Sequence, residues 1–470
     1  MAQSSPGGGG PLAPAVDVGM LIDEASISWT QWCVFALTGA ASLLDGFDTM
    51  IMSFLAPAIS HEWHSSHGAF GMVFSATLLG AAIGATCLGA LADRCGRRNL
   101  ILLSVGWFAL LTLACAAAPS LPWLIGLRFL AGLGLGGVIP NMLALAAEYA
   151  PARRRSTIVA VITWGTPLGA VLGGLISTPV VTAYGWRAML YATGVVPLLL
   201  LPLLWAQLPE SVRFLAARQG DEHRLSAILR KILPLGRIPA NARFTIAEQP
   251  VGRVGLAALF RDGLAPGTIL LSAAMFTSLV LSFMLVNWTP TMLRQAGIPL
   301  SDAILGTVIL NFSGIVGSLL IARIVDGRRR GALVLGLFYV GAVCATLAAG
   351  VVTGLAVIPL PILFVCLASC GFLLIGTQIS LSAYITAYFP TALRGTGIGF
   401  NNAVARGGSL LGPAIGGLLL EAGMSPGHIL IAGGLPGALS AAALFLLTLF
   451  QVRSDLPSPN RLTIKHRGLV

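Results

Sequence analysis

Leu43-Leu-Asp-Gly-Phe-Asp-Thr-Met-Ile-Met-Ser-Phe-Leu-Ala-Pro57 sets two acids, Asp45 and Asp48, in the middle of an apolar run extending from residue 31 to residue 59. At ~1.5 Å per helical residue, such a run crosses the ~30 Å hydrocarbon core of a bilayer with some tilt. Both carboxylates then lie deep in the membrane, where each costs about 2.5–3.5 kcal/mol on the insertion scale. Their i, i+3 spacing predicts one shared helix face, turned to a cavity rather than to lipid.

The rest of the chain has the same character. Of 470 residues, 56% are hydrophobic and 10% charged, and the mean hydropathy is +0.88, which excludes an ordinary water-soluble globule. The formal net charge of +11 does not point to nucleic acid, because the basic residues form short clusters between apolar runs and follow the sidedness rule for membrane proteins. Six of seven cysteines (Cys33, Cys87, Cys115, Cys344, Cys366 and Cys370) fall inside apolar runs, with Cys95 in a basic loop. No C-x-x-C pair or disulfide framework appears. The first thirty residues hold no Lys or Arg, so they lack the basic start of a signal peptide, and the Gly/Pro-rich stretch to about residue 15 is expected to be disordered.

Apolar runs of membrane-spanning length number twelve: 31–59, 68–92, 99–118, 121–147, 156–181, 187–207, 266–293, 301–325, 331–351, 356–385, 395–420 and 428–451. The expected fold class is an all-α polytopic membrane protein of two six-helix bundles. A basic, Pro-containing connection divides it: 1–30 is an N-terminal segment, 31–207 and 266–451 are the bundles, 208–265 the central loop, and 452–470 the tail. Of the 28 Lys and Arg, 24 fall in alternate loops, the tail or, as Arg323, the adjoining end of a span; Arg187 and Arg294 lie on the opposite side, and Arg128 and Arg406 lie deep within spans. That asymmetry places both termini and the central loop in the cytoplasm.

The halves echo one another. Glu148-Tyr-Ala-Pro151 followed by Arg155-Ser-Thr157 returns 239 positions later as Ala387-Tyr-Phe-Pro390 followed by Arg394-Gly-Thr396. Asp93-Arg-Cys-Gly-Arg-Arg98 is echoed by Asp326-Gly-Arg-Arg-Arg330. Internal symmetry of this kind marks transporters whose site lies between repeats near the midplane.

Gly89-Ala-Leu-Ala-Asp-Arg-Cys-Gly-Arg-Arg98 resembles the signature between spans 2 and 3 of the major facilitator superfamily. Arg128-Phe-Leu-Ala-Gly-Leu-Gly-Leu-Gly-Gly137 and Leu208-Pro-Glu-Ser-Val-Arg-Phe-Leu215 resemble its span 4 signature and the segment after span 6. With the Asp-Gly-Phe-Asp of span 1, Asn287-Trp-Thr-Pro290 and Tyr388-Phe-Pro-Thr-Ala-Leu-Arg394, the chain resembles one branch, the aromatic acid:proton symporters that carry 4-hydroxybenzoate, protocatechuate and related acids. The resemblance implies the major facilitator fold with pseudo-two-fold symmetry, in a bacterial-type inner membrane. It implies a small organic acid and protons as cargo, the lipid bilayer as surroundings, and a monomer.

A buried, like-charged pair such as Asp45 and Asp48 suits proton uptake and release; the bland reading is a polar patch that orients the first helix. Arg128 lies about seven residues in from the outer end of its span and Asp48 about eleven, a depth difference of only ~6 Å. That permits an ion pair, either a gate opened by protonation or a purely structural contact. Arg406 has no acid at its depth in its own half. Its fork suits a substrate carboxylate, and the alternative partner is Asp45 across the bundles. Asn401, Gln378 and Trp164 are candidates to line the cavity, as are Asn402, Asn311 and Asn141, although amides in spans are often interhelical glue. Asp93, Arg97, Arg98, Glu148, Arg155, Asp326 and Arg394 are candidates for conformational gating at the basic ends of the helices.

Other motifs carry less. The glycines from Gly132 to Gly137 have no strand before them and no Lys-Ser/Thr after them, so they read as helix packing rather than a phosphate loop. Gly408-Ser-Leu-Leu-Gly-Pro413 resembles an antiporter signature but falls in span 11 instead of span 5. His61, His64 and His67 read as an exposed loop rather than a metal site. No metal, cofactor or nucleic-acid partner is expected, and no nucleophile-base constellation suggests an enzyme. The alternatives are a carrier of another organic anion, an efflux antiporter, and a membrane receptor for the same acid.

Overall fold

The computed structural model describes residues 15–217, 222–233, 243–245, 255–261, 263–325, 330–390 and 393–453, with the side chains of 15–17, 24, 93, 217, 222, 243–245 and 453 outside the description. Its helices in the first half are α1 (Val18–Glu24), α2 (Trp29–Trp63), α3 (His67–Cys95), α4 (Arg97–Ala116), α5 (Leu121–Tyr149), α6 (Ala152–Thr163) and α7 (Gly165–Gln207). Two short helices follow, α8 (Val212–Ala217) and α9 (Glu222–Ile232). The second half holds α10 (Ala265–Gln295), α11 (Leu300–Val325), α12 (Gly331–Thr353), α13 (Leu360–Cys370), α14 (Gly376–Tyr388), α15 (Arg394–Glu421) and α16 (Pro426–Arg453). A π-helical turn, Gly371–Ile375, joins α13 to α14 into one span. Apart from these helices, β1 (Ala15–Asp17) pairs in parallel with β2 (Arg243–Thr245).

Among the described residues, eleven helical stretches are long and apolar enough to cross a membrane. The 56-residue stretch Ala152–Gln207 holds two spans, because Gly185, at φ 80° and ψ 170°, breaks the helix in a conformation that only glycine adopts at low cost. Twelve spans result, six in each half. The span expected at 156–181 differs in one respect: it opens as a separate helix, α6, that meets α7 at Trp164.

The packing shows the repeat. In the first half α2 packs on the front of α7, α3 on α5, and α4 on the back of α7; in the second, α10 packs on α15, α11 on α13 and α14, and α12 on α16. Each half therefore pairs its first span with its fifth, its second with its fourth and its third with its sixth. Lipid tails are as apolar as the side chains, so these pairs are held by close packing instead of water exclusion. Gly46 shows how close: a Cβ there would run into the backbone of Thr166 on α7.

The halves meet where α3 lies against α15, α7 against α11, and α2 against α10. Contact is tightest at the end away from the chain termini. A Cβ at Gly417 would sit 2.9 Å from the His67 carbonyl and 3.3 Å from Gly71 Cα. Trp288 fills the space beside them, donating its indole N–H to the Pro413 carbonyl at 2.8 Å and meeting Phe74 edge-on at 5.3 Å. At the opposite ends of α3 and α15, Gly89, Gly395 and Gly399 would place a Cβ with nothing within 4 Å.

Candidate functional site

Asp45 and Asp48 sit on one helix but in different surroundings. Gly46 must face α7 to let the helices touch. At 100° per residue that fixes the rotation of α2, with Asp45 and Asp48 about 60° apart on the remaining arc. Asp48 points into the first half and is fully buried. Asp45, 6% exposed, has no hydrogen-bond or ion-pair partner among the described residues, and the charge that acts on it from the other half is that of Arg406.

Arg128, on α5, is likewise fully buried. Its Nη1 lies 3.1 Å from Asp48 Oδ2 and 3.3 Å from Oδ1, and its Nη2 donates to the Asp48 carbonyl at 3.0 Å. Thr112 of α4 donates to Asp48 Oδ1 at 2.7 Å. Thr77 of α3 accepts from Arg128 Nε at 3.4 Å, and the Cys115 thiol also lies in reach of the guanidinium. Four helices thus converge on one ion pair. Asp48 Oδ2, close as it is to Nη1, is not aligned for a hydrogen bond and has none.

Arg406 reaches across the halves and donates from Nη1 to the main-chain carbonyl of Ala81 at 3.2 Å. The other proposed cavity residues divide. Asn401 donates to Ser272 Oγ at 3.2 Å, and Gln378 accepts from the Ser282 hydroxyl, so both tie neighbouring helices of the second half together. Asn311 and Asn141 donate to carbonyls four residues back in their own helices, at 2.9 and 2.8 Å. Asn402 is exposed, and Trp164 is half-buried at the junction of α6 and α7.

At the basic end, Arg97 pairs with Glu148, whose second oxygen accepts from Ser211. The Arg98 amide donates to Glu210 Oε1 at 3.0 Å, and its side chain reaches the Trp205 carbonyl. Gly96, at φ 90°, makes the turn between α3 and α4, and a Cβ there would meet the Glu210 carboxylate. The resembled motifs at residues 89–98 and 208–215 therefore lock into one cluster within the first half. Arg155 lies 3.6 Å from Asp23, whose Oδ1 accepts from the Ala152 amide at 2.6 Å and so caps α6. Arg394 is exposed at the start of α15. The Asp93 side chain and Asp326 lie outside the described residues. His61 closes α2, His64 caps it at φ 47°, and His67 opens α3. Among the described residues, no group of three or more His, Cys, Asp or Glu is placed to hold a metal.

Sequence reasoning missed Thr77, Thr112, Ser272, Ser282 and Asp23, and singled out Glu210 and Ser211 only as part of the resembled motif at 208–215. A hydroxyl in an apolar span usually bonds its own preceding turn, as Thr38 does with Val34 at 2.8 Å, and so gives no sign of a cross-helix role.

The family model of the Major Facilitator Superfamily matches residues 38–404. The chain is 36% identical to a gallate transporter of Pseudomonas putida over 92% of its length and 95% of the relative's. It is 35% identical to a 4-hydroxybenzoate transporter of Pseudomonas aeruginosa over 93% and 97%. Among solved structures, it is similar to a bacterial homologue of the human lysosomal transporter Spinster, inward-facing and unoccupied, with TM-score 0.68, 18% identity and coverage of 92% and 99%. It is also similar to the Escherichia coli xylose transporter in its inward-open conformation, with TM-score 0.66, 17% identity and coverage of 88% and 95%.

Proposed function

We propose that this chain, which belongs to the major facilitator superfamily in the branch of the gallate and 4-hydroxybenzoate transporters, imports a hydroxybenzoate-like aromatic acid by proton symport. As a member of that family it is a carrier and not an enzyme. The observation behind the reading is the placement of Asp45: a buried carboxylate without a hydrogen-bonding partner among the described residues, between the halves, under the influence of Arg406.

With Asp45 ionised, its charge offsets that of Arg406. With Asp45 protonated, Arg406 is left with a positive charge between the halves, and a substrate carboxylate supplies the missing anion. Proton and acid thus favour one another at the same place, which is the requirement for coupled entry. The apolar faces of the surrounding helices receive the ring. Rocking of residues 31–207 against 266–451 then changes access, with Gly71 and Gly417 closing the outer end and the ends at Gly89 and Gly395 closing in the other state. In this reading the protein is a monomer in a bacterial inner membrane, with the termini and residues 208–265 in the cytoplasm. A monoanion entering with one proton moves no net charge, and a second proton adds about 2.3 kcal/mol of driving energy per 100 mV.

The test is uptake of radiolabelled 4-hydroxybenzoate and gallate into cells expressing the protein, with and without a protonophore, beside Asp45→Asn. Accumulation that collapses in both controls supports the reading. Accumulation in everted vesicles driven by an acid interior indicates export, and saturable binding without accumulation indicates a receptor.

A further inference from the structure

The Asp48–Arg128 pair is built asymmetrically, and the asymmetry assigns a place to the proton. Oδ1 is engaged by Thr112 at 2.7 Å and by Arg128 Nη1 at 3.3 Å. Oδ2 is buried, 3.1 Å from Nη1, and accepts no hydrogen bond. A hydroxyl donor fixed on one carboxylate oxygen leaves the other as the site with a free lone pair.

We infer that Thr112 is a positioning residue for a second protonation site, at Asp48, beside that at Asp45: it holds Asp48 Oδ1, so that a proton is taken at Oδ2 and opens the contact with Arg128. The inference rests on the proton-symport reading above. A proton on Oδ2 neutralises the carboxylate and so removes the charge attraction that holds Nη1 3.1 Å away. Arg128 keeps its bonds to the Asp48 carbonyl at 3.0 Å and to Thr77 at 3.4 Å, so it swings about them rather than leaving the pocket. Asp48 lies on α2 and Arg128 on α5, with Thr112 on α4 and Thr77 on α3, so protonation loosens a junction of four helices. The proton comes from the side to which the carrier is open and returns to solvent when the carboxylate reforms, so no other reactant is needed. Thr112 supplies the shorter of the two bonds that make the oxygens unequal; without its hydroxyl, Oδ1 keeps only the 3.3 Å bond from Nη1 and the carboxylate is more easily protonated.

The experiment is the pH profile of protonophore-sensitive uptake by the full-length protein reconstituted in liposomes, for wild type, Thr112→Val and Thr112→Ser. Valine keeps the shape and removes both the donor to the carboxylate and the acceptor of the 3.4 Å bond from Arg128 Nη1. It is expected to move the midpoint at which uptake falls by about one unit toward higher pH, the size set by loss of one hydrogen bond to a charged group. Serine keeps the donor and returns the midpoint to the wild-type value. A coupled wild type with an unmoved Thr112→Val midpoint, or a shift that Thr112→Ser also shows, overturns the role of Thr112. Loss of both Thr112→Val and the smaller Thr112→Ala from the membrane, with Thr112→Ser retained, gives the hydroxyl a folding role and also overturns it. A wild type whose uptake ignores pH and protonophore alike overturns the symport reading itself.

Discussion

Arg406 of α15 donates to the carbonyl of Ala81 on α3 at 3.2 Å, a hydrogen bond that crosses from one half to the other in the interior of the protein. It occupies part of the guanidinium fork, while the charge acts on Asp45.

If Arg406 receives the substrate carboxylate, the shape of the fork matters as well as its charge. Arg406→Lys keeps a cation but cannot hold a carboxylate through two parallel N–H groups. It is expected to raise the KM for uptake by about tenfold or more, the equivalent of one charged hydrogen bond. Arg406→Ala should abolish uptake with the protein still in the membrane. Equal KM values for wild type and lysine variant would remove Arg406 from the binding site.

The two aspartates should separate in stability. Removing the charge of Asp48 leaves Arg128 buried without its partner, a loss of about 3–5 kcal/mol for broken buried pairs. Asp45 makes no hydrogen bond or ion pair among the described residues, and the charge of Arg406 acts on it without contact, so Asp45→Asn disturbs the structure less while removing a titratable group. Thermal unfolding in detergent is therefore expected to show a lower Tm for Asp48→Asn than for Asp45→Asn, with uptake impaired in both. A reversed order would mean that Asp45 carries structural load.

Glycines at the two ends of α3 and α15 predict opposite faults. A Cβ at Gly417 would lie 2.9 Å from the His67 carbonyl and 3.0 Å from the Trp288 ring, so Gly417→Leu prevents the end away from the chain termini from closing. Gly89 has open space, so Gly89→Leu fits the present arrangement and obstructs only the state in which that end closes. Both should cut uptake by about tenfold or more, since each blocks half of the cycle. Labelling of cysteines introduced at the two ends should rise at the Gly417 end for Gly417→Leu and at the Gly89 end for Gly89→Leu.

Much of this was legible in the sequence, for physical reasons. Membrane-spanning length and the loop positions of Lys and Arg mark the helices because the bilayer leaves few alternatives. Depth arithmetic put Asp48 and Arg128 at a similar level, and the structure sets them 3.1 Å apart. The parting of Asp45 from Asp48 was not legible. Spacing of i, i+3 says only that two residues lie near one face, and the rotation that sends one to Arg128 and the other toward Arg406 is set by Gly46 against Thr166. Nor was the first segment legible as structure, although Val18 and Ile22 are buried in the same cluster as Leu225 and Leu229 of α9. That packing depends on a contact about two hundred residues away in sequence, which local composition does not carry.

The Arg97–Glu148 pair predicts an asymmetry between its own two members. The Glu148 side chain is 3% exposed and that of Arg97 22%, so each is left in a different environment when the other is removed. Arg97→Ala strands a buried carboxylate with Ser211 as a hydrogen-bond donor, and the charge of Arg213 offsets part of the loss. The cost should be about 3 kcal/mol, the low end for a broken buried pair. Glu148→Gln leaves a guanidinium that can turn to water, and the amide still accepts from Ser211, so about 1 kcal/mol is expected. The cluster joins α4, α5 and the segment after α7, all in the first half, and so its loss should loosen that half without favouring either end of the cycle. Tm is therefore expected to fall further for Arg97→Ala than for Glu148→Gln, with cysteine labelling at the two ends in the wild-type ratio for both. A larger fall for Glu148→Gln, or a labelling ratio displaced toward one end, would place the pair in the gate instead of the scaffold.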